Sequence, residues 1–328
     1  MDRRAFVRTS MLTLLAAPRA AGAQEAGRQR RIGYLDLGSE SRNKPYLDAL
    51  RQGLRDLGWV EGQSIAIEAR FADGKTDRLP TLAAELVHRK MDVIATSHTA
   101  AALAAKGATT TIPIVFGFAA DPVRSGIVVS LARPGGNITG WTNLGLELTE
   151  KYLELLKQAV PQATRFGVFW NPTNPVHEPQ LKVMEAAAPR LKVELHLARV
   201  QDAQDLEKAF SALVAKRVQA IVVFPDGLFL AQTALIVALA TRSRLPSIYG
   251  VREPAKAGGL MAYGTNVSGM FRRVGASFVD KILRGASPAD LPVAQPTEYE
   301  LVINMKTAKT LGLTLPPSLL LQANLVLE

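Results

Sequence analysis

The feature that most constrains this chain is a repeated alternation of short apolar runs with amphipathic stretches. After Arg31, "RIGYLDL" reads as a buried strand. "YLDALRQGLRDLG" then puts Leu47, Leu50, Leu54 and Leu57 on one helical face, with Gly58 as its C-cap. "SIAIEARFA" alternates as a half-buried strand, "DRLPTLAAELVHRK" predicts a helix, and "MDVIATS" a short continuous apolar strand. An alanine-rich helix from residue 98, the strand "TIPIVFGF" and a helix near 122–132 complete a first round. The second round opens with helix 147–159, strand "TRFGVFW", helix 176–189 and strand "KVELHLARV". It continues with a helix capped by Asp202 and faced by Leu206, Phe210 and Leu213, strand "VQAIVVF", helix 229–243 and strand "LPSIYG". Strands alternating with helices over short connections make parallel, doubly wound sheets. Two rounds of about 110 residues suit two similar α/β lobes.

The tail breaks the rhythm. "GGLMAYG" predicts one more strand, "VSGMFRRVGASFVDKILRGA" a long amphipathic helix, and "SPADLPVAQPTEYELVINM" a proline-rich linker followed by a strand. Too little chain follows residue 264 for a third domain, so the tail is expected to return its elements to the two lobes. An N-terminal lobe is expected from 31–141 with 265–293, and a C-terminal lobe from 142–264 with 294–328. Several crossings between lobes make a hinge.

At 328 residues, 48% hydrophobic and 21% charged, the chain holds apolar material for two cores. Its longest apolar stretches break well short of the roughly 18–20 residues a membrane span needs. The net charge is +10, but the first 23 residues carry four Arg and one Asp, so the chain beyond them keeps +7. That charge is scattered, with no basic block interleaved with aromatics, and nucleic-acid binding finds no support. Cysteine is absent, which removes thiol nucleophiles, cysteine zinc sites, disulfides and a lipidated anchor together. Residues 1–23 read as an export signal: Arg3-Arg4, a weak apolar stretch from Met11 to Ala17, and Ala21-Gly22-Ala23 as the cleavage site. "RRAFV" looks like a twin-arginine motif. A tether (24–30) follows, and an exported, unanchored protein points to the periplasm.

In open parallel sheets, ligands bind beyond the carboxyl ends of strands, where helix N-termini also point. The residues there are Ser39, Ser97, His98, Thr99, Phe118, Asp121, Asn143, Trp170, Asp226, Tyr249 and Arg252. Each also has a plain structural reading. Ser97 and Thr99 are N-cap types, and His98 can be a solvent-exposed loop residue. Asp121-Pro122 reads as N-cap and first-turn proline, and Asp226-Gly227 as a turn. Trp170 and Phe118 can close a core, and Arg252-Glu253 can be a solvated pair. There is no G-x-S-x-G elbow, Walker loop, H-E-x-x-H or G-x-G-x-x-G, and the four histidines never fall at metal-ligand spacing. No residue looks like an activated nucleophile, so neither an enzyme nor a cofactor is expected.

Two long phrases, "IATSHTAAALAAKGATTTIPIVFGFAADPV" and "LARPGGNITGWTN", resemble the extracytoplasmic substrate-binding proteins of ABC transporters, in the subfamily that includes tryptophan/tyrosine-type receptors. The tail from "EPAKAGGLMAYG" to "AKTLGL" and "LRQGLRDLGWVEGQSIAIEARFADG" resemble them equally, so the likeness spans nearly the whole chain. The resemblance implies a type I periplasmic-binding fold, with two Rossmann-like lobes, three crossovers and a ligand in the cleft. It places a ligand carboxylate on Ser97, Thr99 and the first amides of the alanine-rich helix, and an ammonium on Asp226. Phe118, Trp170 or Tyr249 would stack on the ligand body, and Arg252 would meet a second acidic group. The implied partners are a small solute, an amino acid or related organic acid, and an ABC permease, with the receptor a monomer. A sensor subunit on the same fold, or a periplasmic enzyme, is the alternative.

Overall fold

The apolar runs form two sheets. The computed structural model describes residues 28–119, 121–143 and 145–328. The export signal expected over residues 1–23 therefore lies outside the described residues. The first lobe holds β1 (Arg30–Asp36), α1 (Glu40–Asp56), β2 (Ile65–Phe71), α2 (Leu79–His88), β3 (Val93–Ser97), α3 (His98–Ala108), β4 (Ile114–Ala119) and β5 (Ile138–Thr142). Its strands are all parallel, in the order β2-β1-β3-β4-β5. β3, β4 and β5 are buried along their whole length, as parallel strands covered on both faces must be.

The second lobe continues with α4 (Gly145–Ala159), β6 (Arg165–Trp170), α5 (His177–Ala187), β7 (Glu194–Arg199), α6 (Asp205–Ala215) and β8 (Ala220–Val223). Then come α7 (Gly227–Ala231), α8 (Thr233–Arg242), β9 (Ser247–Tyr249), α9 (Arg252–Lys256) and β10 (Met261–Gly264). The tail adds α10 (Val267–Met270), α11 (Ala276–Leu283), β11 (Glu300–Asn304), α12 (Met305–Leu311), α13 (Pro317–Leu320) and β12 (Leu325–Leu327). This sheet runs β12-β11-β10-β9-β8-β6-β7. Through its first five strands it repeats the order of the first sheet. β11 runs antiparallel to β10, so the second sheet is mixed, not wholly parallel as expected. β11 arrives from the hinge with no crossover helix to carry it back to the strand starts, and so it can only run against its neighbour.

Four local expectations change. The helix near 122–132 is a single turn: Asp121 Oδ1 accepts the Arg124 amide at 3.0 Å, and Gly126, at φ +72°, stops it. β-branched Ile127, Val128 and Val129 follow and disfavour resumption. The helix at 229–243 is two helices, α7 and α8, broken at Gln232. Asp202 accepts the Gln204 amide at 2.7 Å in a turn ahead of α6 and is not its N-cap. Leu57 leaves the α1 face and is 40% exposed at the C-cap, beside Gly58 at φ +90°.

The tail helix returns to the first lobe. α10 runs through a π-helical stretch, Phe271–Gly275, into α11, and the whole lies against α1. Gly53 sets the approach, since a Cβ there would come within 2.0 Å of the Arg272 carbonyl oxygen. Chain crosses between the lobes three times: after β5, between β10 and α10, and in the stretch leading to β11. The crossings are tied to their surroundings. Thr142 donates its amide to the Ala294 carbonyl at 3.0 Å, and Asn266 Nδ2 donates to Glu300 Oε1 at 3.0 Å.

Candidate functional site

A doubly wound sheet opens a crevice where its strand order turns back. In the first lobe that point lies between β1 and β3, and in the second between β6 and β8. The two crevices face each other across one cavity of about 300 Å³, a volume suited to a small molecule. From the first lobe it is lined by Leu37, His98, Thr99 and Phe118, from the crossing after β5 by Asn143, and from the second lobe by Asn171, Thr173, Asn174 and Pro225–Gly227. The rest of the wall is mostly apolar, with Leu79, Pro80 and Leu103 prominent.

The first-lobe wall is built around the turn from β3 into α3. His98 sits there at φ +63°, a left-handed conformation unusual for a non-glycine residue. Such a residue leading directly into a right-handed helix turns successive amides toward one point, the arrangement that cradles anions. Ser97 is fully buried and makes no side-chain cap bond to α3, contrary to the capping reading. The first amides of the helix, which have no carbonyl a turn earlier to bond, are thus free of a side-chain cap. Phe118 and Asp121, at φ +54° and +39°, repeat the strain at the end of β4. Each such residue costs about 1–3 kcal/mol, and strain of this kind gathers at binding sites.

His98 is buried, not a solvent-exposed loop residue, at 4% exposure, with its ring 5.6 Å edge-on from Phe118. Neither ring nitrogen has a hydrogen-bond partner among the described residues. Burial lowers its pKa below the usual histidine value, against the pull of the Asp36 and Asp226 carboxylates. Asp36 stands behind it, fully buried and satisfied by Tyr34 Oη at 2.9 Å and by Gly38 N and Asn43 Nδ2, each at 2.7 Å.

Across the cavity, Asp226 is both turn and wall. Its Oδ1 accepts the Leu228 amide at 2.7 Å, capping α7, and its Oδ2 accepts from Asn174 Nδ2 at 2.8 Å. Asn171 is positioned by its neighbours: its amide donates to His177 Nδ1 at 2.8 Å, and its Oδ1 accepts from Thr173 Oγ1 at 2.8 Å. The accepting Nδ1 fixes the His177 tautomer with its proton on Nε2, which faces the Pro225 carbonyl at 3.4 Å. Asp226 is the one carboxylate in the lining, and no Lys or Arg joins it among the described residues.

His98, Thr99, Phe118, Asn143 and Asp226 are thus brought together. The other six sequence candidates do not line this cavity. Ser39 lies at the start of α1 with its hydroxyl 3.3 Å from that of Ser41, and Asp121 pairs with Arg124. Trp170 packs against the second-lobe core, and buried Tyr249 lies behind Pro225 beside a smaller cavity. Arg252 faces Glu253 at 3.8 Å and Glu300 at 3.5 Å, near the hinge. Sequence reasoning missed Thr173 and Asn174, although "NPTNP" directly after a strand is a dense turn signal.

The lobes touch at the cavity rim. A Cβ on Gly227 would lie 3.0 Å from Leu37 Cδ2 and 3.4 Å from His98 Cγ. Arg42 donates to the Ala231 carbonyl, and Leu230 and Val251 join the first-lobe cluster of Tyr46, Phe118 and Phe271.

The architecture is shared with known proteins. At 28% identity over 293 residues, covering 88% of this chain and 83% of the relative, it resembles the tyrosine-binding protein of Clostridioides difficile strain R20291. A Streptococcus pneumonia ABC domain solved in complex with L-Trp superposes with a TM-score of 0.84 at 24% identity, covering 92% of this chain and 100% of that one. The ligand-free, open structure of a substrate-binding protein with adhesive properties from Clostridium difficile reaches 0.64 at 25% identity, covering 91% and 99%. These neighbours share the type I periplasmic-binding fold, two lobes joined by three crossovers. The model of the family described as ABC transporter substrate binding protein matches residues 40–327, nearly the whole of both lobes. This chain belongs to that family of ABC transporter substrate-binding proteins.

Proposed function

We propose that this protein captures a small carboxylate-bearing solute, an amino acid or related organic acid, between its lobes and delivers it to an ABC permease from the periplasm. The observation that carries this reading is the polarity of the cavity: strained, side-chain-uncapped amides opening α3 on one wall, and Asp226 on the other. A carboxylate at the start of an eleven-residue helix gains about 0.3–2 kcal/mol from its dipole, besides charge-assisted hydrogen bonds. An ammonium group would meet Asp226. The apolar wall of Leu37, Leu79, Leu103 and Phe118 would receive the ligand body. Relatives described as binding tyrosine, L-Trp and benzoate support this ligand class.

The moving units we assign are 31–141 with 265–293 and 142–264 with 294–328. The higher TM-score against the L-Trp complex than against the open, ligand-free relative supports a closed arrangement here. Residues 1–23 act as a twin-arginine export leader, and the released protein works as a monomer without a membrane anchor or catalysis of its own. A thermal-shift screen of the chain from Gln24 against amino acids, aromatic acids and dicarboxylates tests the reading. A ligand at 100 times its Kd should add about 2.7 kcal/mol of stability. Stabilisation by neutral solutes alone would overturn it.

A further inference from the structure

The cavity poses an electrostatic problem. Its lining holds Asp226, and Asp36 lies fully buried behind His98, yet no lysine or arginine faces in among the described residues. A carboxylate entering here would add a further anion to a site already facing two. Helix amides offset part of that repulsion, but they carry only partial charge. One side chain can supply a whole positive charge, and that is His98. Its ring is 96% buried, lines the cavity directly beside the start of α3, and leaves both nitrogens without a partner among the described residues.

We propose that His98 is the ligand's cationic partner, taking up a proton as the carboxylate seats against the first turn of α3. This rests on the carboxylate reading of the cleft. β3 presents the Ser97 backbone, which favours the charged ring. β1 presents Asp36, the turn after β8 presents Asp226, α1 presents the Tyr46 ring at 6.5 Å, and the end of β4 presents Phe118. Both carboxylates favour the imidazolium, and burial alone opposes it. The arriving carboxylate adds a third negative group and shifts that balance toward the charged ring. The proton comes from solvent. His98 Nδ1 and Nε2 then both carry hydrogen, and the ring places a full positive charge in the cavity wall beside the ligand carboxylate. The geometry also makes the residue selective, because a neutral amide or alcohol in the same place brings no charge to hold the proton.

Proton uptake is read directly by calorimetry in buffers of differing ionisation heat, with L-tryptophan, L-tyrosine and benzoate as probes. At pH 7.5 the observed heat should vary with buffer by up to one proton taken up per ligand bound. Affinity should weaken by up to about tenfold per pH unit between pH 6.5 and 8. Benzoate has no amine to titrate, so a slope seen with it belongs to the protein. In His98→Asn, a residue that tolerates the left-handed backbone, the slope should vanish and affinity should become flat with pH. Thr99→Val should weaken binding while leaving the slope in place. A binding probe that shows no uptake in the native chain, or uptake that survives His98→Asn, overturns the role of His98 and leaves the carboxylate reading standing. Failure of all three probes and of the wider carboxylate panel to bind overturns both.

Discussion

Gly227→Leu tests the joint at which the two lobes meet on the cavity wall. Gly227 opens α7 in the second lobe, and its backbone is not left-handed, so a side chain is conformationally permitted. The three atoms nearest an added Cβ all belong to the first lobe: Leu37 Cδ2 at 3.0 Å, and His98 Cγ and Cβ at 3.4 and 3.5 Å. Alanine would ask only the flexible tip of Leu37 to yield. Leucine adds three further carbons at a joint that also walls the cavity, an overpacking of the closed lobes that typically costs about 1–3 kcal/mol. That cost falls on the closed state alone, so affinity for the best ligand of the thermal-shift panel should drop roughly 5- to 150-fold. The unliganded melting temperature should hold, and with saturating ligand small-angle scattering should show a larger radius of gyration than the liganded native chain. An unchanged radius together with unchanged affinity would refute the reasoning. So would a fall in unliganded stability matching the loss of affinity, which would place the clash inside one lobe.

Asp226→Asn should cut affinity for L-tryptophan at least about tenfold while sparing benzoate, which has no ammonium; equal losses in calorimetry would remove the ammonium role. His98 and His177 are both held below the usual pKa by burial, so the folded state binds fewer protons than the unfolded one. Their stabilising contribution is present above about pH 6.5 and lost as pH falls below it, by at most about 1.4 kcal/mol per pH unit each. Urea melts at pH 7.5 and 5.5 should show the decline, and stability that rises on acidification would contradict it. Gly53→Ala should gain about 1 kcal/mol from helix propensity alone, yet its Cβ would meet the Arg272 carbonyl oxygen at 2.0 Å. A net loss of about 2 kcal/mol or more is expected in urea, and a gain would mean the tail helix adjusts freely. Lys192→Gly should stabilise by about 1 kcal/mol, since that residue holds φ +53° between α5 and β7, and an unchanged urea midpoint would count against it.

The alternation of strands and helices was legible because each element carries its own period: 2 or an unbroken apolar run for strands, 3.6 for helices. Strand ends followed, and with them Thr99, Phe118, Asn143 and Asp226 as cavity positions. What could not be read was whatever depends on distant chain. The burial of His98 is made by Phe118 and Tyr46 in its own lobe and by Gly227 in the other, none adjacent to it in sequence. Arg252 looked available for a ligand because its partner Glu300 is 48 residues away. The antiparallel β11 carries the same apolar run as a parallel strand, and direction leaves no mark on composition. The 122–132 segment failed for a local reason, since Gly126 outweighed the capping pattern of Asp121-Pro122.

The return of α10 and α11 to the first lobe has a consequence in time. The face of α1 bearing Tyr46, Leu50 and Leu54 clusters with Phe271, Phe278 and Val279, which are encoded roughly 125 residues after the last strand of that sheet. At about 5–20 residues per second, a ribosome needs some 6–25 s to cover that interval. Through it, the newborn amino-terminal half carries a bare apolar flank. The amino-terminal half therefore cannot be cut from the gene as a self-standing piece, since its flank is covered only once the final third emerges.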